Sequence, residues 1–343
     1  MKFQRITFVG MGAIGGLLAG RLGRLVSTQN LQLSALARGH TLATLQNHGL
    51  VLHQAGASVN IPIRATQNAA DLGPQDLVIV AVKGPSLPAV APDIARLCGP
   101  QTAVLVAMNG VPWWFFEGSH GACSGLVLQS VDPGGTIAKA IPTHHVVGCV
   151  VHAASRVIAP AVVQHVMGQQ LIIGEPRGAS SERVHGLQSL LTEAGFDVQV
   201  SEHIQQAIWF KLWGNMTINP VSALTGATAD RILDDPQVRQ FCSSIMLEAK
   251  AIGQRIGCTI EQSPEDRHAV TRKLGAIKTS MLQDLESGRP LELDALVGAV
   301  QEIGRHLALP TPQIDTLMGL TRLLGQSKGL YPVESKVPSS PSQ

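Results

Sequence analysis

The feature that most narrows what this chain can fold into lies near its start. A short apolar, β-branched run at 6–9 leads directly into Gly10-Met-Gly12-Ala-Ile-Gly15, and an apolar, helix-forming stretch follows at 17–25. In such an arrangement the first glycine permits a tight turn, the second lets an anionic group approach the backbone, and the third lets the helix pack against the strand it follows. The helix N-terminus then presents free N–H groups and the positive end of its dipole to the turn, which suits a pyrophosphate. Lys2 and Arg5 ahead of the apolar run also give the outline of a secretion signal. The glycines at 10, 12, 15, 16 and 20 break that run, and a strand followed by a glycine turn accounts for them better.

The pattern after the turn predicts a parallel sheet. Residues 31–37 read as a second strand, 41–47 as helical, and the stretch through 63 as hairpin-like. The run 76–82, Asp-Leu-Val-Ile-Val-Ala-Val, is apolar at nearly every position, as expected of a strand covered on both faces, and 102–107 repeats it after a helix ending near Gly99. Residues 149–174 alternate as antiparallel strands do, 180–195 read as a helix and 197–200 as a last strand. After Ser201 the β-rich runs cease and helical periodicity takes over at 203–219, 236–257, 264–286, 292–308 and 311–325. The expected fold is therefore α/β: an N-terminal Rossmann-type doubly wound sheet over 1–201 and a C-terminal all-α helical domain over 202–326. A Ser-, Pro- and Lys-rich flexible tail is expected at 327–343. A chain of 343 residues is long enough for two such cores. Pro220 is expected to end the first long helix.

Charge limits the partners. A net charge of +2, with no dense Lys/Arg stripe and only 3% aromatic residues, does not suit a nucleic-acid surface. No segment reaches the unbroken apolar length of a membrane span, and the cysteine usage fits a cytoplasmic protein. The five cysteines are widely spaced and never form a CxxC pair, so reduced, mostly buried thiols are expected, with neither a disulfide framework nor a metal site.

Two sets of residues carry candidate chemistry. A dinucleotide site that reads a ribose 2′-hydroxyl carries an acidic residue at the end of the second strand; here Arg38 stands there, with His40 nearby and no Asp or Glu before Asp71. A guanidinium matches a 2′-phosphate, which points to NADPH/NADP+ over NADH. In the helical half, Lys211, Asn215 and Asn219 recur at four-residue intervals and share one helix face among apolar neighbours. Buried polar groups need partners. On spacing alone, a polar cleft and a snorkelling lysine with two satisfied amides both remain open. A second polar cluster spans 280–294, including Ser280 and Glu292.

Taken together, GMGAIGG at 10–16, VKGPSL at 82–87, MNG at 108–110, KLWGNMTINPVSALTG at 211–226 and SMLQDLESGRPLELDAL at 280–296 resemble the ketopantoate reductase family from Gly10 to about Leu324. The resemblance implies NADPH-dependent reduction of a 2-oxo acid, with Lys211 protonating the developing alkoxide and Glu292 orienting Lys211 and substrate. It also implies that Asn109, Asn215, Asn219 and Ser280 bind substrate. Gly10, Met11, Gly12, Ala13, Ile14, Gly15, Arg38, Lys83 and Asn109 would hold the cofactor. It leaves monomer and homodimer both open. Ketopantoate is the leading substrate; a relative acting on another branched 2-oxo acid, or an NADPH-sensing protein without turnover, are the alternatives. The sequence departs from the family pattern at Ile277, where some members carry a substrate-side Asn, and in the bulky run Trp113-Trp114-Phe115-Phe116.

Overall fold

A computed structural model describes residues 1–119 and 121–333. The chain divides into two units: Met1–Leu212 with Gly253–Thr259, and Trp213–Ile252 with the described residues from Ile260 onward.

The first unit is built on one ten-stranded mixed sheet. Its strands are β1 (Arg5–Val9), β2 (Gln32–Leu36), β3 (Leu50–Gln54), β4 (Ala57–Ile61), β5 (Arg64–Thr66), β6 (Gln75–Val80), β7 (Cys98–Val106), β8 (Val146–Ala159), β9 (Val162–Gly174) and β10 (Asp197–Val200). They lie in the order β4-β3-β9-β8-β7-β6-β1-β2-β5, with β10 beside β9. β1 pairs in parallel with β2 and β6, and β6 with β7, so the carboxyl ends of these four strands share one edge of the sheet. That edge is where open α/β sheets take their ligands. The long β8–β9 pair is antiparallel, as the alternation at 149–174 implies. β3 and β4 form the expected hairpin, turning through Ala55 and Gly56, both at positive φ. The central strands bury Ile6, Phe8, Leu77, Ile79, Ala103 and Leu105 completely. Each of the larger side chains contributes about 1.5–3 kcal/mol by leaving water.

The first unit extends past the boundary expected at 201, because the opening turns of the helix Ile204–Thr225 are built into it. Ile204 and Trp209 are almost wholly buried, and Gly148 and Gly174 leave room for Ile204 where a side chain would collide with it. Gln206 donates to the Thr259 carbonyl (2.7 Å), and Gly253 lies so close to the Trp209 indole that any side chain there would clash. These contacts tie 253–259 to this unit.

The second unit is helical. Pro220 does not end the helix that carries it: Ile204–Thr225 runs five residues beyond, and Gly226, at positive φ, stops it. A proline inside a helix costs about 3 kcal/mol. Here Met216, Ile218, Val221 and Ala223 around it are buried, and that apolar burial holds the helix together. The single helix expected at 264–286 is two, Pro264–Arg272 and Ser280–Glu286, separated where Gly275 turns left-handed and restarted by Thr279, whose side chain accepts from the Leu282 amide. The stretch expected to be helical from 292 begins with a π-turn, Asp294–Gly298, before Ala299–His306.

The expected flexible tail needs correction at its start. Ser327 closes the helix Pro312–Ser327, and the next residues fold back on the unit: the Leu291 amide donates to the Leu330 carbonyl (3.1 Å), and Tyr331 packs against Gly325. The chain's single tyrosine supplies the apolar area that a Ser/Pro/Lys composition alone would not. The remainder of the tail, 334–343, lies outside the described residues.

Candidate active site

In the first unit the glycine turn joins β1 to the helix Ala13–Leu22. Gly10 has φ +99°, and a Cβ there would stand 2.7 Å from the Ala81 carbonyl, just past the end of β6. At Gly15 a Cβ would fall 1.9 Å from the Gly10 oxygen, so the turn closes only without a side chain. Gly12 differs: a Cβ there meets nothing within 4 Å. Gly12 is the N-cap and leaves the helix N-terminus without a side-chain cap, and the first turn carries no acidic residue. The open face at Gly12, above an uncapped helix end, fits a pyrophosphate. Met11 turns its side chain into the core, and Ile14 packs against that core, so these two reach the turn through their backbones. Ala13 is half-buried at the first helical position.

Arg38 lies just after β2, at the N-cap of the helix Gly39–His48, with its side chain largely exposed. Its guanidinium pairs with Asp93 on the helix Leu87–Leu97 (Nη2 to Oδ2, 3.5 Å), and Arg96 donates to the other oxygen of the same carboxylate (2.8 Å). His40, in the first turn of Gly39–His48, is exposed. Lys83 follows β6 and caps the short 3-10 turn Gly84–Ser86.

Asn109 follows β7, half-buried on the same sheet edge. Lys211 reaches it from the helix Ile204–Thr225: its Nζ donates to Asn109 Oδ1 (2.9 Å) and to the Val151 carbonyl of β8 (2.7 Å). Two fixed acceptors hold the ammonium in one place. Cys149, two residues before Val151, is fully enclosed; burial pushes its thiol up to about 12, while the Lys211 charge pulls the other way. The aromatic run after Asn109 is packing: Trp113, Trp114, Phe115 and Phe116 are all buried, Trp113 donates to the Ile141 carbonyl, and Phe115 meets Phe116 edge-on at 5.0 Å.

In the second unit, Asn219 is buried and its amide donates to Ser280 Oγ at 3.4 Å, a long contact. Ser280 is exposed, at the first position of its helix. Asn215 is half-buried. Beside it, Gly214 leaves space for the Arg267 guanidinium, whose Nε would be 2.7 Å from a Cβ. Burial lowers the pKa of Arg267. Glu292 is half-buried between the buried Leu291 and Leu293. Ile277 is half-buried, and its carbonyl accepts from the Ala229 amide (3.1 Å).

The expected residues thus form two constellations. One comprises the glycine turn, Arg38, Lys83, Asn109 and Lys211 in the first unit; the other comprises Asn215, Asn219, Ser280 and Glu292 in the second. Sequence reasoning missed the Val151 carbonyl, Asp93 and Arg267. A backbone acceptor leaves no trace in residue type, and single charges on amphipathic helices look like solvated surface. Only Gly214, a glycine inside a helix, hints that a bulky neighbour presses there.

Comparison with known proteins bears on this arrangement. The family described as ketopantoate reductase PanE/ApbA matches residues 6–113, and its C-terminal counterpart matches 203–325. A curated 2-dehydropantoate 2-reductase from Mesorhizobium japonicum is 44% identical over 328 residues, covering 96% of this chain and 100% of its own. A crystal structure of a candidate ketopantoate reductase from Ralstonia solanacearum MolK2 superposes with a TM-score of 0.92 at 57% identity, covering 96% of this chain and all of its own. A ternary structure of D-mandelate dehydrogenase with NADH and anilino(oxo)acetate has a TM-score of 0.79 at 19% identity over 95% of this chain and 100% of its own, and so shares the fold. The chain belongs to the ketopantoate reductase family, whose members are oxidoreductases acting on a CH–OH group.

Proposed function

We propose that this protein uses NADPH to reduce a 2-oxo acid to the 2-hydroxy acid, with 2-dehydropantoate as substrate and pantoate as product. The observation that carries the reading is the Lys211 ammonium, held by Asn109 Oδ1 and the Val151 carbonyl at the carboxyl edge of a dinucleotide-type sheet. The substrate assignment rests on the 44% identical curated relative named for that reaction.

A bound reduced nicotinamide supplies the two electrons and the hydrogen that C2 of the substrate receives. The chain's own residues do the rest. The Gly10 to Gly15 turn and the helix end at Gly12 take the pyrophosphate, and Arg38 takes the 2′-phosphate. Lys211 donates a hydrogen bond to the carbonyl oxygen as negative charge develops there, then releases a proton to it. Asn109 and the Val151 carbonyl keep its Nζ from wandering, so little reorganisation accompanies that transfer. Asn219 and Ser280 supply donors suited to a carboxylate, and Asn215 a donor and acceptor suited to a hydroxyl. The family resemblance assigns Glu292 an orienting role. The product proton ends on the new hydroxyl, and Lys211 recovers its own from solvent. The site is proposed to work in the cytoplasm on a small-molecule acid, as a monomer or homodimer.

Replacing Lys211 tests the reading. Lys211→Ala is expected to lower kcat by about 100-fold or more, the range of a lost general acid, while the NADPH dissociation constant stays unchanged. Near-normal turnover at neutral pH would assign Lys211 a structural role.

A further inference from the structure

The ion pair between Arg38 and Asp93 connects the loop after β2 to the helix after β6, the two elements that flank the β1 turn. It is loose, at 3.5 Å, whereas Arg96 holds the other oxygen of the same carboxylate at 2.8 Å. The carboxylate is the anchored member: its side chain is 19% exposed, against 65% for Arg38 and 61% for Arg96. Exposed pairs of this kind add little to fold stability. Any value of Asp93 therefore lies in what it does to Arg38.

Resting on the reading that Arg38 takes the 2′-phosphate, we infer that Asp93 is a specificity-determining residue that competes with the 2′-phosphate for the Arg38 guanidinium. With no 2′-phosphate near, Arg38 is paired to Asp93 and its charge is partly cancelled. A 2′-phosphate must draw the guanidinium away from the anchored carboxylate. The exchange does not orphan Asp93, because Arg96 keeps its bond to Oδ1. The carboxylate thus weakens binding of oxidised and reduced phosphorylated cofactor alike, which favours release after turnover. It leaves NADH, which has no 2′-phosphate, unaffected.

Dissociation constants for NADPH and NADH, measured by nicotinamide fluorescence at fixed ionic strength, test this in four proteins: the parent, Asp93→Asn, Arg38→Ala and the double variant. Asp93→Asn is expected to tighten NADPH about 5-fold, the scale of one screened charge contact, and to leave NADH unchanged. In the Arg38→Ala background the same change is expected to do nothing. Weaker or unaltered NADPH binding in Asp93→Asn overturns the inference, as does equal tightening with and without Arg38, which would mark a general field effect. If Arg38→Ala leaves the NADPH to NADH ratio unchanged, the 2′-phosphate reading itself fails and the inference with it. If that ratio collapses while Asp93→Asn is neutral, only the role of Asp93 is lost.

Discussion

Arg38 and Asn109 show how much a single side chain can carry. A charge-assisted contact with a phosphate is worth about 1.5–3 kcal/mol. Arg38→Ala should therefore remove most of the preference for NADPH over NADH, read as the ratio of their dissociation constants; equal affinity for both in the parent protein would refute the assignment. Asn109 supplies an acceptor to Lys211 Nζ. Asn109→Ala should lower kcat about 10-fold, within the range for positioning a general acid, with the fold intact by circular dichroism. Both residues were legible in the sequence, Arg38 by its place after the second strand and Asn109 by the family resemblance. Their partners were not. Asp93 pairs with Arg38 only because the sheet order sets β2 and β6 on either side of β1, and no linear spacing of 55 positions signals that.

At the scale of elements, the glycine turn gives a paired test. A Cβ on Gly15 falls within 1.9 Å of a backbone oxygen, whereas one on Gly12 meets nothing. Gly15→Ala should destabilise the first unit and lower its Tm by several degrees. Gly12→Ala should leave Tm unchanged while weakening cofactor binding at least 10-fold, because the methyl occupies the approach to the helix N-terminus. Unchanged cofactor binding in Gly12→Ala would show that the open face at Gly12 has no ligand role. The strands were readable because near-continuous apolar runs such as 76–82 have few alternatives. Helix ends were less readable. Pro220 signals a stop, yet burial of Met216, Val221 and Ala223 outweighs it, and the break near Gly275 interrupts what periodicity joins. The tie between Tyr331 and Gly325 was hidden for the same reason: tertiary packing decided it.

The whole molecule should lose stability on mild acidification. Burial lowers the pKa of His145, whose ring Nδ1 lies 2.9 Å from the Thr102 carbonyl, and also that of His268. A folded-state pKa below the unfolded value of 6.5 means that the unfolded chain binds more protons as pH falls. The contribution is thus fully present above about pH 6.5 and is lost as pH falls through the folded values. Asp294, raised by burial, acts in the opposite sense: its protonated form favours the fold at low pH, and that contribution is gone by neutrality. Tm should therefore fall between pH 7 and pH 5, and His145→Gln should flatten that slope; an unchanged slope would remove His145 from the account. Among the described residues no helix is long and apolar enough to cross a membrane. At this scale the sequence already carried the α/β plan with its helical second part. It did not carry the return of 253–259 to the first unit, which depends on Gly253 meeting Trp209.

Steady-state oxidation of NADPH at 340 nm, with 2-dehydropantoate compared against 2-oxoisovalerate, which lacks the hydroxymethyl group, tests whether the protein is this reductase. Rapid oxidation is expected with 2-dehydropantoate, with a kcat/KM at least about 10-fold lower for 2-oxoisovalerate because the donors meant for the hydroxyl are left unpaired, and with slower turnover on NADH than on NADPH. Faster turnover of 2-oxoisovalerate would transfer the enzyme to a different 2-oxo acid. NADPH binding without oxidation of any 2-oxo acid would rule out the reductase and leave a nucleotide sensor in its place.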